Sequence, residues 1–171
     1  HALSKLEEPL QEIELYRLLI NLANDFQPQG WDKEINVSVH EEQFDKAPAI
    51  LAMKPLISQV FSIIIENAVK YSNRGTNIII RGKYLPQSDS FEVSVINRGI
   101  PILVGDEGKL FNRGFRSDEA KRRYPAGTGF GLYIAKRIVE IHEGTIAAST
   151  RDGLTIFSVT LSVKGLKGKA R

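Results

Sequence analysis

The stretch from Lys54 to Tyr71 constrains the fold most, because its apolar residues recur at helical spacing along its length. This pattern predicts a long helix that buries one face in a core. Residues 72–75 contain asparagine and glycine and indicate where the helix ends. The apolar stripe consists of Ile57, Val60, Phe61, Ile64, Ile65, Ala68 and Val69.

Weaker periodic patterns on both sides predict the other elements. Helical spacing predicts helices over residues 10–26 and 131–143, ended by residues 27–30 and by Gly144. Hairpin-linked strands mixed with helices indicate the α+β class, as a two-layer α/β sandwich with helices on one face of a mixed, mostly antiparallel sheet. The predicted strands cover residues 34–39, 77–84, 91–96, 145–149 and 155–163, with a turn signal at 150–153.

Length and composition favour one globular domain. The chain has 171 residues, and we predict a single domain over 1–171 with its core at 10–163. The sequence has no cysteine, and no apolar run approaches the length that a membrane span needs. The formal charge is +3, which we interpret as a solvated basic surface. No cluster of basic and aromatic residues is visible, so we expect no nucleic-acid partner.

An irregular segment at residues 97–128 separates the third strand from the last helix. It has many glycines and charges and little periodicity. Irregular segments this long inside a compact domain are usually functional lids or disordered. We predict that residues 103–128 form a lid over a binding site.

The end of the long helix carries the first chemical candidate. Asn67 and Lys70 are three residues apart and share a helix face, and Tyr71 lies four residues beyond Asn67. An amide oxygen can ligate a hard cation such as Mg²⁺, and an ammonium group one turn later can neutralise a phosphate. The alternative is a solvated helix C-terminus with a lysine near its dipole.

Residues 97–102 follow a predicted strand and form the second candidate. Asn97 offers both an acceptor and a donor, which matches the edge of adenine. Gly99 would allow the backbone to approach a flat ring closely. The alternative is an ordinary turn at the end of a strand.

Two further candidates flank the C-terminal part of the predicted lid. Glycines at residues 127–132 precede a helix, where backbone N–H groups are free to meet phosphate. Their spacing differs from the dinucleotide-binding pattern and follows a loop, so a Rossmann fold is not supported. In residues 111–116, two phenylalanines are suited to dock the lid and two arginines to reach phosphate oxygens. The alternatives are a flexible loop and scattered surface residues.

In this order and spacing, the four candidates together resemble the catalytic and ATP-binding domain of sensor histidine kinases, within the GHKL ATPase group. The resemblance covers about residues 10–163. The matching segments are 65–72 for the N box, 97–102 for the G1 box in an Asn-x-Gly variant, 110–115 for the F box, 127–132 for the G2 box and 138–146 for the pattern that follows it.

The resemblance implies ATP and Mg²⁺ as ligands. It implies that Asn67 ligates the metal and acts with Lys70 as the catalytic pair on the phosphates. Asn97 would contact the adenine amino group, with Gly99 letting the base lie close. The other implied nucleotide-binding residues are Tyr71, Ile102, Phe111, Arg113, Phe115, Arg116, Gly127, Thr128, Gly129, Phe130, Gly131 and Leu132.

The resemblance also implies partners. The γ-phosphoryl group would pass to a histidine on a separate dimerisation and phosphoacceptor domain, which we expect to be absent from this chain, and then to the receiver domain of a response regulator. The isolated domain is expected to be monomeric, inactive without its phosphoacceptor domain, and cytoplasmic. Membrane attachment of the parent protein stays open.

The sequence departs from the family pattern at three points. Asn97 stands where many relatives have aspartate, so we expect modest affinity with adenine still preferred over guanine. Ile63 lies one turn before Asn67, where hydrolytic members have a glutamate base, so we expect slow or absent ATP hydrolysis. None of the three histidines fits a phosphoacceptor helix. We expect His142 to pack in the core, whereas His1 and His40 have no special setting.

Three alternative functions stay open from the sequence. The first is a nucleotide-binding regulatory module that has lost phosphoryl transfer. The second is another GHKL member, either a protein-serine kinase or a conformational ATPase, and the isoleucine at position 63 argues against the ATPase. The third is a nucleic-acid-binding domain, which would bind DNA or RNA in a strongly salt-dependent way.

Overall fold

The computed structural model describes residues 8–47 and 49–165. Parts of the predicted single domain, 1–7 with His1 and 166–171, lie outside the described residues. Within the described part, seven strands and four α-helices are interspersed along the chain. Their bounds are β1 Gln11–Ile13, α1 Leu15–Trp31, β2 Asn36–Val39, β3 Ile50–Ala52, α2 Lys54–Tyr71, β4 Asn77–Leu85, β5 Ser90–Asn97, α3 Asp118–Arg123, α4 Gly131–Ile141, β6 Thr145–Arg151 and β7 Leu154–Ser162.

The main sheet has five strands in the order β2-β4-β5-β7-β6. Strand β2 runs parallel to β4, and the other neighbouring pairs are antiparallel. A second sheet pairs β1 with β3 in antiparallel register. The predicted α+β class with a mixed, mostly antiparallel sheet is therefore confirmed.

Three helices cover one face of the main sheet. Helix α2 contacts both α1 and α4 and also packs on β5. Its apolar stripe is buried, and so are alternate residues of β5 such as Phe91, Val93 and Val95. The intervening residue Ser94 pairs with Ser158 of β7 outside this core. The predicted two-layer arrangement is confirmed, with α2 as the central helix.

The predicted helix over residues 10–26 is wrong at both ends. Ile13 belongs to β1 and pairs with Ile50, so the helix begins only at Leu15. The helix also continues through Pro28 to Trp31. The Gln27 side chain bonds the backbone of β2 and the residue before it, through Ile35 O and Val37 N at 2.8 Å each. These contacts hold the last turn in place despite the proline, which a local breaker signal does not reveal.

Besides β1, two further short elements were not predicted. Strand β3 has three residues, too few for a periodic pattern. Helix α3 lies inside the segment predicted to be irregular, between Asp118 and Arg123. Its signal was present in the sequence: Ser117 caps it by accepting from Ala120 N at 3.1 Å, and acidic residues precede basic ones along it.

The predicted hairpins are confirmed. Strands β4 and β5 pair antiparallel across a short connection. Asp152 and Gly153 join β6 to β7 with φ angles of 52° and 79°, the left-handed values that tight two-residue hairpins require. Among the described residues, none of the helices combines the length and the apolar character that a bilayer crossing would demand.

Candidate functional site

A cavity of about 280 Å³ lies beside the C-terminal end of α2 and the first turn of α4. The ends of β5 and β7 form its floor, and the segment predicted as a lid forms its outer wall. The structure brings residues from all four sequence motifs to this one cavity. The predicted residues that line it are Asn67, Lys70, Tyr71, Asn97, Ile102, Phe115, Arg116, Gly127, Thr128, Gly129, Gly131 and Leu132.

Four predicted residues do not line the cavity: Gly99, Phe111, Arg113 and Phe130. Phe111 is buried and packs edge-on against Phe157, with ring centroids 6.4 Å apart, so it anchors the lid on the core. The Arg113 guanidinium lies 5.4 Å from the Phe130 ring centroid. The nucleotide roles expected of these residues stay predictions.

Gly99 is required by a close backbone contact that the sequence did not reveal. A Cβ at this position would lie 1.9 Å from the carbonyl oxygen of Tyr71 and 2.9 Å from Cα of Ser72. Ser72 and Gly99 form an isolated β-bridge. In this structure the glycine makes room for the backbone that follows α2, and its expected role beside the adenine ring stays a prediction.

Other cavity residues were not predicted from the sequence. The most informative is Thr155. It is the first buried residue of β7 and lies directly opposite Asn97 in the register of β5 and β7. Strands β5 and β7 are not joined by a hairpin, so local sequence did not show that these two side chains meet. The remaining residues of this kind are Ile63, Glu66, Ile100, Pro101, Asp106, Leu110, Ser117, Ala120 and Phe157.

A buried hydrogen-bond chain links α2 to β5 at the floor of the cavity. The Ser72 hydroxyl donates to Ala68 O at 2.6 Å, and the Asn97 amide nitrogen donates to Ser72 Oγ at 3.1 Å. Ser72 and Asn97 are only 1% and 4% exposed. The polar end of α2 and the end of β5 are thus held in a fixed relation.

A second, partly buried hydrogen-bond network supports the loop after β5. The Ile102 N–H donates to Thr150 Oγ1 at 2.8 Å, and Thr150 and Thr155 share a hydrogen bond of 2.7 Å. The Thr155 hydroxyl also lies 3.3 Å from Ile100 O. Together with Ser72 and Asn97, the two threonines form what we call the base wall.

The C-terminal carbonyls of α2 receive donors from two other segments. Lys33 Nζ donates to Val69 O at 3.0 Å and to Lys70 O at 2.8 Å. Arg123 of α3 lies 3.4 Å from Tyr71 O. Burial, and after it the charge of Arg123, lowers the pKa of Lys33. The helix end that carries Asn67 and Lys70 is therefore capped by cations, which suits the negative end of a helix dipole.

Arg116 ties the lid together and to α2. Its guanidinium donates to Ala120 O at 2.8 Å, to Gly127 O at 3.1 Å and to the Tyr71 hydroxyl at 3.2 Å, and also contacts Tyr124 O. The predicted contact of Arg116 with a phosphate stays a prediction, because the guanidinium here binds protein oxygens.

Aromatic contacts place α3 over the end of α2. The rings of Tyr71 and Tyr124 meet edge to face at 5.7 Å, and Lys70 Nζ lies 5.5 Å from the Tyr124 ring centroid. Tyr124 is still 40% exposed. At Tyr124 the outer wall is therefore attached by surface contacts, whereas Phe111 attaches it to the core.

Glycines shape the junction between the lid and α4. Gly129 has φ of 76°, and its carbonyl accepts from Gly114 N at 3.1 Å. A Cβ on Gly129 would lie 2.7 Å from the Gly114 carbonyl carbon. On the inner side, a Cβ on Gly131 would lie 3.3 Å from Cγ2 of Ile63. Only glycine fits position 129, since both the φ angle and the contact exclude a side chain.

His142 packs in the core, as predicted. Its Nε2 accepts from Met53 N at 3.1 Å, so the proton lies on Nδ1, which is 2.9 Å from Ile138 O. Burial lowers the pKa of His142, and the bond to Ile138 opposes this in part. The residue connects the end of α4 to the start of α2, away from the cavity.

Comparison with known proteins identifies similar sequences. A sequence profile described as histidine kinase-, DNA gyrase B-, and HSP90-like ATPase matches residues 53–165. The sensor protein kinase WalK of Staphylococcus aureus is 37% identical over 97 residues. That match covers 57% of this chain and 23% of WalK, so the matched part is less than a quarter of the relative.

Solved structures share the fold. The catalytic domain of histidine kinase ThkA superposes with a TM-score of 0.78 at 23% identity, covering 91% of this chain and 96% of that one. Full-length ShkA in complex with AMPPNP has a TM-score of 0.78 at 19% identity, covering 97% and 34%. ThkA in complex with the response regulator TrrA has a TM-score of 0.72 at 21% identity, covering 95% and 43%.

Proposed function

Because this chain belongs to the family of histidine kinase-, DNA gyrase B- and HSP90-like ATPases, we propose that it is the ATP-binding catalytic domain of a two-component sensor histidine kinase. It would transfer the γ-phosphoryl group of ATP to a histidine on a separate phosphoacceptor domain. One observation carries this proposal: a single cavity collects residues from four motifs that are far apart in the sequence. The likeness to WalK supports the kinase over other members of the family.

Adenine would bind against the base wall. The Asn97 amide nitrogen is bound to Ser72, so its oxygen is available to accept from the exocyclic amino group of adenine. Apolar residues of the same cavity, Ile102 and Leu132 among them, would cover the faces of the ring. Guanine presents a carbonyl at the corresponding position and would face the same oxygen unfavourably.

The triphosphate would extend along the polar end of α2. Lys70 would neutralise phosphate charge, and Asn67 would ligate Mg²⁺ through its amide oxygen. No group of three or more His, Cys, Asp or Glu side chains in the described ranges 8–47 and 49–165 could hold a metal alone. This donor set fits Mg²⁺, which proteins commonly bind through one or two oxygens together with substrate phosphates. When bound, the ion would neutralise charge that develops on the transferring group.

The lid would close over the phosphates. Backbone N–H groups of the glycine segment before α4 would meet phosphate oxygens at a helix N-terminus. Arg116 would exchange its bonds to lid carbonyls for bonds to phosphate. Phosphoryl transfer needs positioning and charge neutralisation more than covalent help from the protein. Since Ile63 lines the cavity where hydrolytic members of the family have a glutamate as general base, the domain would not activate water.

The partners follow from the proposed reaction. The nucleophile would be a histidine on the kinase's own phosphoacceptor domain, and the phosphoryl group would then pass to the receiver domain of a response regulator. The similar kinase ThkA has been solved with the response regulator TrrA, which supports this choice. A cytoplasmic place and a monomeric state for the isolated domain belong to the same proposal.

The decisive binding experiment is calorimetric titration with a non-hydrolysable ATP analogue, with and without Mg²⁺. We expect Mg²⁺ to tighten binding by about tenfold or more in the wild type and Asn67→Ala to abolish most of that gain. Asn73→Ala is the matched control, because Asn73 is exposed just beyond α2 and does not line the cavity. Equal gains in both variants would reject the metal role of Asn67.

A second experiment tests transfer. The domain is mixed with labelled ATP and the dimerisation and phosphoacceptor domain of a related kinase. Label on histidine is expected. Nucleotide binding without label would instead support a regulatory module that has lost transfer.

A further inference from the structure

We propose that Ser72 determines the base specificity of this domain by fixing the orientation of the Asn97 amide. This inference rests on the proposed function, since it concerns the adenine end of the same cavity. Ser72 itself does not line the cavity, so its effect would be exerted through Asn97.

The hydrogen-bond geometry allows Ser72 only to accept from Asn97, and not to donate to it. A serine hydroxyl has a single proton. At Ser72 that proton goes to Ala68 O, since this bond is 2.6 Å long and the contact with Asn97 is 3.1 Å. Ser72 Oγ can then only accept from Asn97. The amide must therefore turn its NH₂ group toward Ser72 and its oxygen away from it.

This orientation decides which base is read. Asn97 lines the cavity, and no other group in the described part of the chain donates to its amide oxygen. An outward oxygen accepts from the amino group of adenine. A flipped amide would present NH₂ and match the carbonyl of guanine. The two orientations differ by a half-turn of one side-chain torsion, so the choice depends on what the inner end of the amide bonds.

The backbone holds Ser72 in the place where it can do this. Its N–H donates to Ala68 O at 3.0 Å, and it forms the β-bridge with Gly99. Next to this bridge, the Asn73 N–H donates to Arg98 O at 2.8 Å. The segment after α2 is thereby fastened to the segment after β5, which fixes the distance between the hydroxyl and the amide.

The dependence on Ser72 is a consequence of having asparagine at position 97. An aspartate has two equivalent oxygens, and either can accept from adenine without an orienting partner. Ser72 should therefore matter for specificity in this chain and matter much less in an Asn97→Asp variant. This difference separates an orienting role from a general role in packing.

The test measures dissociation constants for ATP and GTP by calorimetry in four proteins: wild type, Ser72→Ala, Asn97→Asp, and the double variant. We expect Ser72→Ala to lower the preference for ATP over GTP by about tenfold, because the amide can then flip. In the Asn97→Asp background the same change should alter that preference by less than about twofold. Ser94→Ala is the matched control, since it removes a hydroxyl from the other face of β5 and should leave the preference unchanged.

Each outcome is decisive. If the wild type binds neither nucleotide, the proposed function fails, and this inference fails with it. If the wild type prefers ATP and Ser72→Ala keeps the same preference, or weakens ATP and GTP equally, the inference alone is overturned. An equal loss in the Asn97→Asp background also overturns it. Thermal unfolding monitors folding, and Ser72→Cys, which keeps the volume but bonds weakly, is expected to show an intermediate preference if Ser72→Ala does not fold.

Discussion

The two walls of the cavity are built by different means. The base wall consists of side chains on strands together with Ser72 directly after α2, and Ser72, Asn97 and Thr155 are each no more than 4% exposed. Apart from the buried ring of Phe111, the lid is attached mainly by surface contacts, and Val104 and Tyr124 are 87% and 40% exposed. The difference teaches that one half of the site is preformed by the core, whereas the other depends on a segment with few buried contacts. The affinity for adenosine should therefore depend on the base wall alone, whereas the affinity for ATP should depend on both the base wall and the lid.

The largest expected effect comes from a substitution at the junction between the lid and α4, which should change the lid and leave the base wall intact. Gly129→Ala would force a side chain onto a backbone with φ of 76° and into contact with Gly114. Such strain costs about 1–3 kcal/mol, so ATP affinity should fall by about tenfold or more while adenosine affinity stays unchanged. Gly105→Ala is the control, because a Cβ there meets nothing within 4 Å. Calorimetry with both ligands checks this, and equal losses for ATP and adenosine would contradict an independent lid.

The next effect tests the base wall. Thr155→Val keeps the shape but removes the hydroxyl that bonds Thr150 and Ile100. Leaving these groups unpaired should cost about 1–3 kcal/mol of unfolding free energy and weaken ATP and adenosine by similar factors. Thr160→Val, an exchange on the outer face of the same strand, is the control. A loss restricted to ATP would show that the walls are not separable.

The pH dependence of stability probes the far end of α2. Because burial lowers the folded-state pKa of His142 below 6.5, the unfolded chain binds its proton first as the pH falls. The stability contribution of neutral His142 is therefore complete above about pH 6.5 and is lost below it, with a slope of at most about 1.4 kcal/mol per pH unit. Urea unfolding between pH 5 and 8 measures this, and His142→Gln should flatten the profile. An unchanged profile in that variant would assign the slope to other groups.

The smallest effect concerns the cap on α2. Lys33→Met removes both bonds to the terminal carbonyls and should lower the unfolding free energy by about 1 kcal/mol. Arg74→Met is the control. Arg74 bonds Asp32 O and the Glu34 carboxylate in the loop that carries Lys33, and neither bond involves a carbonyl of α2. Its expected cost is below about 0.5 kcal/mol, as for exposed ion pairs. Equal costs in urea unfolding would mean that the loop, and not the helix cap, is what Lys33 stabilises.

Local patterns were sufficient where neighbours in sequence decide the structure. The apolar stripe and the breaker residues 72–75 predicted the bounds of α2, and the hairpins followed from alternating residues and turn signals. The start of α1 was missed because Ile13 pairs with Ile50 across the chain, a contact that helical spacing cannot register. The continuation through Pro28 likewise depends on Gln27 bonding another segment.

The candidate site shows the same division. Motif spacing indicated most of the cavity residues, since each motif is local. Thr155 was missed because its place beside Asn97 depends on the register of two strands that are distant in sequence. The sequence also indicated that Gly99 needs close approach, but only the structure shows that the approaching group is the Tyr71 carbonyl.

The bonds of Arg116 have a consequence for turnover. The guanidinium has carbonyl partners at Ala120 and Gly127, so the proposed bond to phosphate would replace existing bonds and would add little net affinity. In the proposed kinase, the same two carbonyls would accept from Arg116 again after the γ-phosphoryl group has left. ADP would then compete with these protein oxygens for the guanidinium, which would favour early release of ADP and a short residence time.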